Sequence, residues 1–107
     1  TRSFTSSHYK RVLDFIATHF NDNITREMMA AQAGISTYHV ARLVKQTIGQ
    51  SPHQFLMHYR VEQARKQLAK PNTLIADIAI TCGFSDQAHF TRVFKQITGK
   101  TPKQYRA

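Results

Sequence analysis

Residues 34–52 read GISTYHVARLVKQTIGQSP, and residues 83–102 read GFSDQAHFTRVFKQITGKTP. The second stretch is the first again. At its start the offset is 49, where Ala30/Ala79, Gly34/Gly83 and Ser36/Ser85 coincide and Ile35 becomes Phe84. One residue is added just after the second serine. From there the offset is 50, and Arg42/Arg92, Lys45/Lys95, Gln46/Gln96, Gly49/Gly99, Pro52/Pro102 and Gln54/Gln104 coincide. Val40/Phe90, Leu43/Val93, Val44/Phe94 and Phe55/Tyr105 are apolar or aromatic exchanges. Self-similarity at this period means one supersecondary unit used twice. Two copies are too few for a solenoid, so the expectation is a duplicated reader.

Each copy has the form of a helix-turn-helix: a short helix, a glycine, an apolar residue, a serine cap and a second amphipathic helix. Thr25 is the expected N-cap of a helix over 26–33, with Glu27 in its positive first turn. Gly34 supplies the positive φ with which the chain leaves that helix. Ser36 then caps a helix over 37–48, whose Val40, Leu43, Val44 and Ile48 share one face. Tyr38, Ala41, Arg42 and Lys45 share the other. In the second copy, helices are expected over 75–82 and 86–98, the latter capped by Ser85 and ended by Gly99. Ser51-Pro52 begins a long helix that runs to Ala69 or Lys70, because proline at the first helical position needs no N–H partner. Phe55, Leu56, Tyr59, Ala64 and Leu68 are its expected apolar stripe. Eighteen residues of helix span roughly 27 Å at ~1.5 Å per residue. Thr101-Pro102 opens a last short helix. Before the first copy, His8–Phe20 has helical periodicity, with Ser7 as its expected cap. No stretch alternates as a strand does, so the fold class is all-α with seven helices.

The 107 residues carry 15 Lys and Arg against 6 Asp and Glu, for a net charge of +9 and a pI near 10.2. The excess is spread over structured segments, with +2 over 26–50, +3 over 51–70 and +4 over 85–107, against −1 over 71–84. Such a distribution suits a polyanion with a long backbone. The single cysteine, Cys82, excludes a disulfide framework and Cys-based zinc fingers, and reads as a small buried hydrophobe. The six histidines show no His-x-x-x-His pair and no flanking cysteine or carboxylate cluster, so no metal and no cofactor is expected. The acids are scattered, and neither a phosphate-binding glycine loop nor a nucleophile–base spacing is present, so no enzyme is expected. The absence of an apolar run of membrane length and of a signal peptide points to the cytoplasm. The chain opens on Thr1 and not Met, which suggests a fragment of something longer.

The run IADIAITCGFSDQAHFTRVFKQITGKTPKQYR, residues 75–106, resembles the C-terminal signature of the AraC/XylS family of bacterial transcription regulators. The first copy and the RVEQARKQLA of the long helix resemble that family's first helix-turn-helix and linker, so the resemblance covers residues 8–107. It implies a homeodomain-like pair of helix-turn-helix units, over about 8–50 and 73–107, joined by a linker helix over about 52–69. It also implies two recognition helices, 37–48 and 86–98, in successive major grooves of double-stranded operator DNA. In that family a sensory or dimerisation domain often precedes this one, here N-terminal to Thr1, and RNA polymerase is a further expected partner.

Carried over by position, the family's base-reading residues fall on Tyr38, Ala41 and Arg42 in the first copy. In the second they fall on Gln87, Ala88, Thr91 and Arg92. An arginine can fork onto guanine O6 and N7, a glutamine can pair with adenine, and Ala88 or the Thr91 methyl can meet a thymine methyl. At Ala41 and Ala88 a longer polar chain would reach farther. Ser36, Thr37, Lys45, Ser85 and Lys95 are the expected phosphate contacts, which position without specifying. Tyr38 has a second reading as a lid on the core. His39 and His89 read as helix-end hydrogen bonders, and Arg60 with Asp77 as a partly buried ion pair. The competing function is a basic helical module for RNA or a protein partner. Single-stranded RNA recognition needs aromatic stacking platforms, and Phe15, Phe55, Phe84, Phe90 and Phe94 lie on apolar faces, which favours duplex DNA.

Overall fold

A computed structural model describes the backbone of residues 2–106 and the side chains of residues 7–106. Among the described residues there are seven helices and no strand: α1 Arg2–His19, α2 Arg26–Ala33, α3 Thr37–Ile48, α4 Pro52–Leu68, α5 Ile75–Thr81, α6 Gln87–Thr98 and α7 Pro102–Arg106. The chain forms two compact units, Thr1–Leu56 and Met57–Ala107. The division falls inside α4.

Unit 1 is built on an aliphatic core. Val12 and Ile16 of α1, Met29 and Ala33 of α2, and Val40 and Val44 of α3 are fully or almost fully buried. Burying a side chain of this size stabilises a fold by roughly 1.5–3 kcal/mol before conformational entropy is charged against it. Thr25 Oγ1 accepts from the Met28 N–H at 3.1 Å and starts α2. Gly34 ends it at φ +73°, while the Ile35 N–H reaches back to the Ala30 carbonyl at 3.1 Å. This back-bonded left-handed end satisfies a carbonyl that the helix leaves orphaned. Ser36 Oγ accepts from the His39 N–H at 3.1 Å and starts α3 at the expected residue. Ile48 departs from expectation. It lies in the last turn of α3 and is 37 % exposed.

The start of α1 also differs. The helix begins at Arg2 and runs straight through Ser7, which therefore caps nothing. Residues 2–7 contain neither glycine nor proline, and serine in a helix interior costs only a few tenths of a kcal/mol, so nothing local stops the helix at Ser7.

Unit 2 repeats the turn around a different core. Gly83 has φ +94°, and the Phe84 N–H bonds the Ala79 carbonyl at 3.0 Å, as Ile35 bonds Ala30. The core is aromatic. Phe84 packs on Phe90 with centroids 5.0 Å apart, Phe90 on Phe94 at 5.5 Å and Phe94 on Tyr105 at 5.5 Å. Ile78, Ala79 and Cys82 of this unit are buried with them, as are Val61, Ala64 and Leu68 of α4. Val61 and Met57 join the buried face of α4 although neither belongs to the expected stripe, and so does Arg60, at 6 % exposure. Burial lowers the Arg60 pKa, and the Cys82 thiolate opposes that shift. The Cys82 thiol is pushed up to about 11 by the same burial, with Arg60 pulling the other way.

The first residue of α6 is Gln87, and its N-cap is Asp86, whose Oδ1 accepts from the His89 N–H at 2.7 Å. Ser85 is not the cap. The added residue lies in the turn, so the position matching Ser36 at the helix end is Asp86, the 50-residue offset having already begun. The repeated glutamines have a local cause. Ser51 Oγ accepts from the Gln54 N–H at 3.1 Å while Gln54 Oε1 accepts from the Ser51 N–H at 2.9 Å. Thr101 and Gln104 do the same at 3.1 and 2.9 Å. These are capping boxes, each satisfying two orphan donors of a helix start. The short α7 is held by Arg106, whose guanidinium donates to the carbonyls of Thr73 at 2.6 Å, Lys70 at 3.1 Å and Leu68 at 3.2 Å. No helix among the described residues is long and apolar enough to cross a membrane.

Candidate nucleic-acid interface

With Val40, Leu43 and Val44 buried, α3 turns Tyr38, Arg42 and Lys45 outward, and Ala41 is half-buried between them. Tyr38 is 64 % exposed, which removes its reading as a core lid. Its phenol is occupied along the helix instead. Arg42 Nη1 donates to the Tyr38 hydroxyl at 3.3 Å, and the guanidinium carbon lies 5.7 Å from the ring centroid. Residues four apart share a helix face, and an exposed cation–π contact contributes about 0.5–1 kcal/mol. Arg42 is thereby held out from the helix in a restricted set of rotamers. Lys45 Nζ donates to the Gly49 carbonyl at 3.2 Å, a cation at the negative end of α3.

Ser36 Oγ stands 2.9 Å from His39 Nδ1 as well as accepting the His39 N–H, so its hydroxyl is committed to the helix start. Thr37 is half-buried. Alongside α3 lies a recess of about 690 Å³. Tyr38, Ala41, Arg42, Lys45 and Gln46 line it from α3, Arg26 from the start of α2, and Pro52 and His53 from the start of α4, next to Ser51. Arg26, Gln46 and His53 had no place among the expected contacts. Gln46 stands four residues after Arg42, so periodicity along α3 carries it, whereas Arg26 and His53 come close across the starts of α2 and α4, which periodicity along one helix does not carry.

On α6, Phe90, Val93 and Phe94 are buried, while Gln87, Ala88, Arg92 and Lys95 are exposed and Thr91 is half-buried. The residue four before Arg92 is Ala88, so Arg92 has no aromatic partner of the Tyr38 kind. His89 closes the helix start. The Ser85 backbone N–H donates to its Nδ1 at 3.4 Å and the Ser85 hydroxyl is 3.2 Å away, while the ring meets Phe84 edge-on at 5.4 Å. A backbone N–H can only donate, so this geometry assigns the lone pair to Nδ1 and the ring proton to Nε2. Both histidines are therefore helix-end hydrogen bonders. Among the described residues, no group of three or more His, Cys, Asp or Glu is placed to hold a metal ion.

Two amphipathic helices at a left-handed glycine turn, each with a buried and an outward polar face, are the geometry of a helix-turn-helix. The helix-turn-helix domain family matches this chain over residues 29–107. The chain belongs to that family, in its AraC/XylS branch. An uncharacterised helix-turn-helix-type transcriptional regulator of Staphylococcus aureus (strain COL) is 36 % identical over 96 residues, covering 90 % of this chain and 13 % of that protein. The chain thus spans only a small part of that regulator's length. Among solved structures, the C-terminal domain of AraT, a response regulator from Geobacillus stearothermophilus, superposes with a TM-score of 0.86 and 31 % identity, covering 92 % of this chain and 83 % of that one. The DNA-binding domain of AdpA, a global transcriptional factor solved in complex with a target DNA, gives 0.85 and 26 %, covering 94 % and 89 %. The seven helices of the described residues thus match the AraC-type DNA-binding fold.

Proposed function

We propose that this domain binds double-stranded DNA sequence-specifically and regulates transcription, reading bases with the outward faces of α3 and α6. The observation that carries the reading is the repeated exposed arginine, Arg42 and Arg92, each on the polar face of a second helix whose other face is buried. The AdpA domain, which shares this fold, was solved on its target DNA. Tyr38, Ala41, Arg42, Gln87, Ala88, Thr91 and Arg92 are the proposed base-facing set. Lys45 and Lys95 are the proposed phosphate contacts, which supply affinity without sequence preference. Ser36, Thr37 and Ser85 would contribute only from the helix starts, since the Ser36 hydroxyl is already committed to His39. The linker reading assigns about 8–50 and 73–107 to the two readers and the helix between them to their connection. As part of a longer bacterial regulator, the domain would act as the output half in the cytoplasm, with a sensory or dimerisation domain and RNA polymerase as further partners. The small share of the Staphylococcus aureus regulator's length that it spans supports that placement.

The buried phenylalanines of unit 2 favour duplex DNA over single-stranded RNA. Phe84, Phe90 and Phe94 are at most 3 % exposed and offer no stacking platform. The test begins with duplex selected from a random pool, competed against random duplex, RNA and single strands at one stated salt concentration. Arg42→Ala and Arg92→Ala should each weaken the selected duplex by about 1–3 kcal/mol and relax preference at a base pair or two. Equal loss on selected and random duplex would make the arginine a phosphate contact only. Equal competition by RNA would sink the duplex reading.

A further inference from the structure

Arg26 is the first residue of α2, directly after the cap Thr25. That is the positive end of the helix dipole, where a cation opposes the field and an acid such as its neighbour Glu27 is favoured. The cost is not offset among the described residues, because the Arg26 side chain makes no hydrogen bond or ion pair with any of them and is exposed. It lines the recess beside α3 together with two further cations, Arg42 and Lys45, and with His53, and no carboxylate lines that recess. A concave surface with three fixed positive charges and no acid is complementary to a chain of phosphates. The copy of the fold in unit 2 serves as an internal control, because the residue at the Arg26 position there is Ile75. The shared fold therefore does not require a cation at this place.

We propose that the recess of unit 1 seats the phosphodiester backbone of the DNA strand flanking the groove read by α3, with Arg26 as a phosphate contact absent from unit 2. The inference rests on the duplex-reading function proposed above. It makes the two readers unequal, with unit 1 having at this position a backbone contact that unit 2 lacks.

The test measures dissociation constants of wild type, Arg26→Ala and Arg26→Lys for pool-selected and random duplex across a salt series. Melting curves are recorded alongside. Arg26→Ala should weaken both duplexes by the same factor and leave their ratio unchanged. It should also reduce the slope of log affinity against log salt by about 0.9, the value for one lost phosphate contact. Arg26→Lys should retain the slope. Arg26→Ala should melt no lower than wild type, since the charge it removes opposed the helix dipole. An unchanged slope, a loss confined to the selected duplex, or a lower melting temperature would each overturn the proposal. Wild type that fails to prefer its selected duplex sinks the reading function itself, whereas an intact preference with an unchanged Arg26→Ala slope sinks only the recess.

Discussion

Unit 1 and unit 2 share a turn and differ in what fills the space behind it. Both leave the first helix through a left-handed glycine, and both return an N–H from the next residue to the carbonyl five positions earlier. Behind the turn, unit 1 packs valine, isoleucine and methionine from three helices, with α1 closing one side. Unit 2 runs a chain of aromatic rings from Phe84 to Tyr105 and fastens its last helix by one guanidinium on three carbonyls. The residues that coincide between the copies are mostly turn, cap and surface residues, and the core residues are exchanged. The turn sets the angle at which the second helix leaves, and any well-packed set of side chains of the right total volume serves to hold it.

Substitution at the two glycines gives the largest expected effect and the sharpest break of that likeness. Gly34→Val and Gly83→Val should each destabilise the fold by about 1–3 kcal/mol, as a β-branched residue held at positive φ is strained. At Gly34 a Cβ would meet nothing within 4 Å, so the cost of the Cβ itself there is backbone strain. Melting temperatures report it, and an unchanged value in either variant would show that its turn relaxes without cost.

Next in size are the caps, which the two units make with different chemistry. Ser36→Ala and Asp86→Ala should each cost about 1 kcal/mol of stability. Asp86→Asn separates the cap from the charge. It should keep the melting temperature close to wild type and tighten binding to random duplex, since a carboxylate at the start of α6 repels phosphate. Weaker binding by Asp86→Asn would assign the carboxylate a contact of its own.

A smaller difference concerns the arginines, one braced and one not. Tyr38→Ala should weaken selected duplex by about 0.5–1 kcal/mol through the lost cation–π brace on Arg42. Tyr38→Phe keeps the ring and should lose less. In an Arg42→Ala background the Tyr38→Ala effect should shrink, and an undiminished effect would show that the tyrosine touches DNA independently of Arg42.

The last difference has no effect at neutral pH, being a dependence on alkaline pH in unit 2. Burial holds Cys82 protonated up to about 11, above its ordinary value of 9.0, so the folded state binds the proton more tightly than the unfolded chain. The stability this contributes is present below pH 9 and lost as pH rises toward 11. Cys82→Ala should flatten the decline of melting temperature over that interval, and the native thiol should react with a disulfide reagent at pH 8 only on unfolding.

The glycine turns, the start of α3 at Thr37 and the buried faces of α3 and α6 were legible in the sequence because local chemistry decides them. Ser85 misled, as it coincides with Ser36 at the edge of an insertion, and a one-residue shift hands the capping role to Asp86. Gln54 and Gln104 were visible as a repeat, and their Ser-x-x-Gln and Thr-x-x-Gln spacing already carried the capping boxes that the structure shows. Ser7 misled for the opposite reason, since a good cap residue caps only where something stops the helix. Arg106 and the recess side of Arg26 were not legible, because each depends on residues brought close by tertiary packing.

The added residue near Ser85 lies in the turn and leaves α6 in step with α3. An insertion inside either helix would rotate everything after it by about 100° and turn a reading face inward. Because the turn absorbs the extra length, the outward positions 38, 41 and 42 and their counterparts 88, 91 and 92 remain in one phase. Those surface sets are transplantable between the two readers without disturbing either interior. A whole-helix exchange is not, for Phe90 and Phe94 fill space that Val40 and Val44 would leave as a hole.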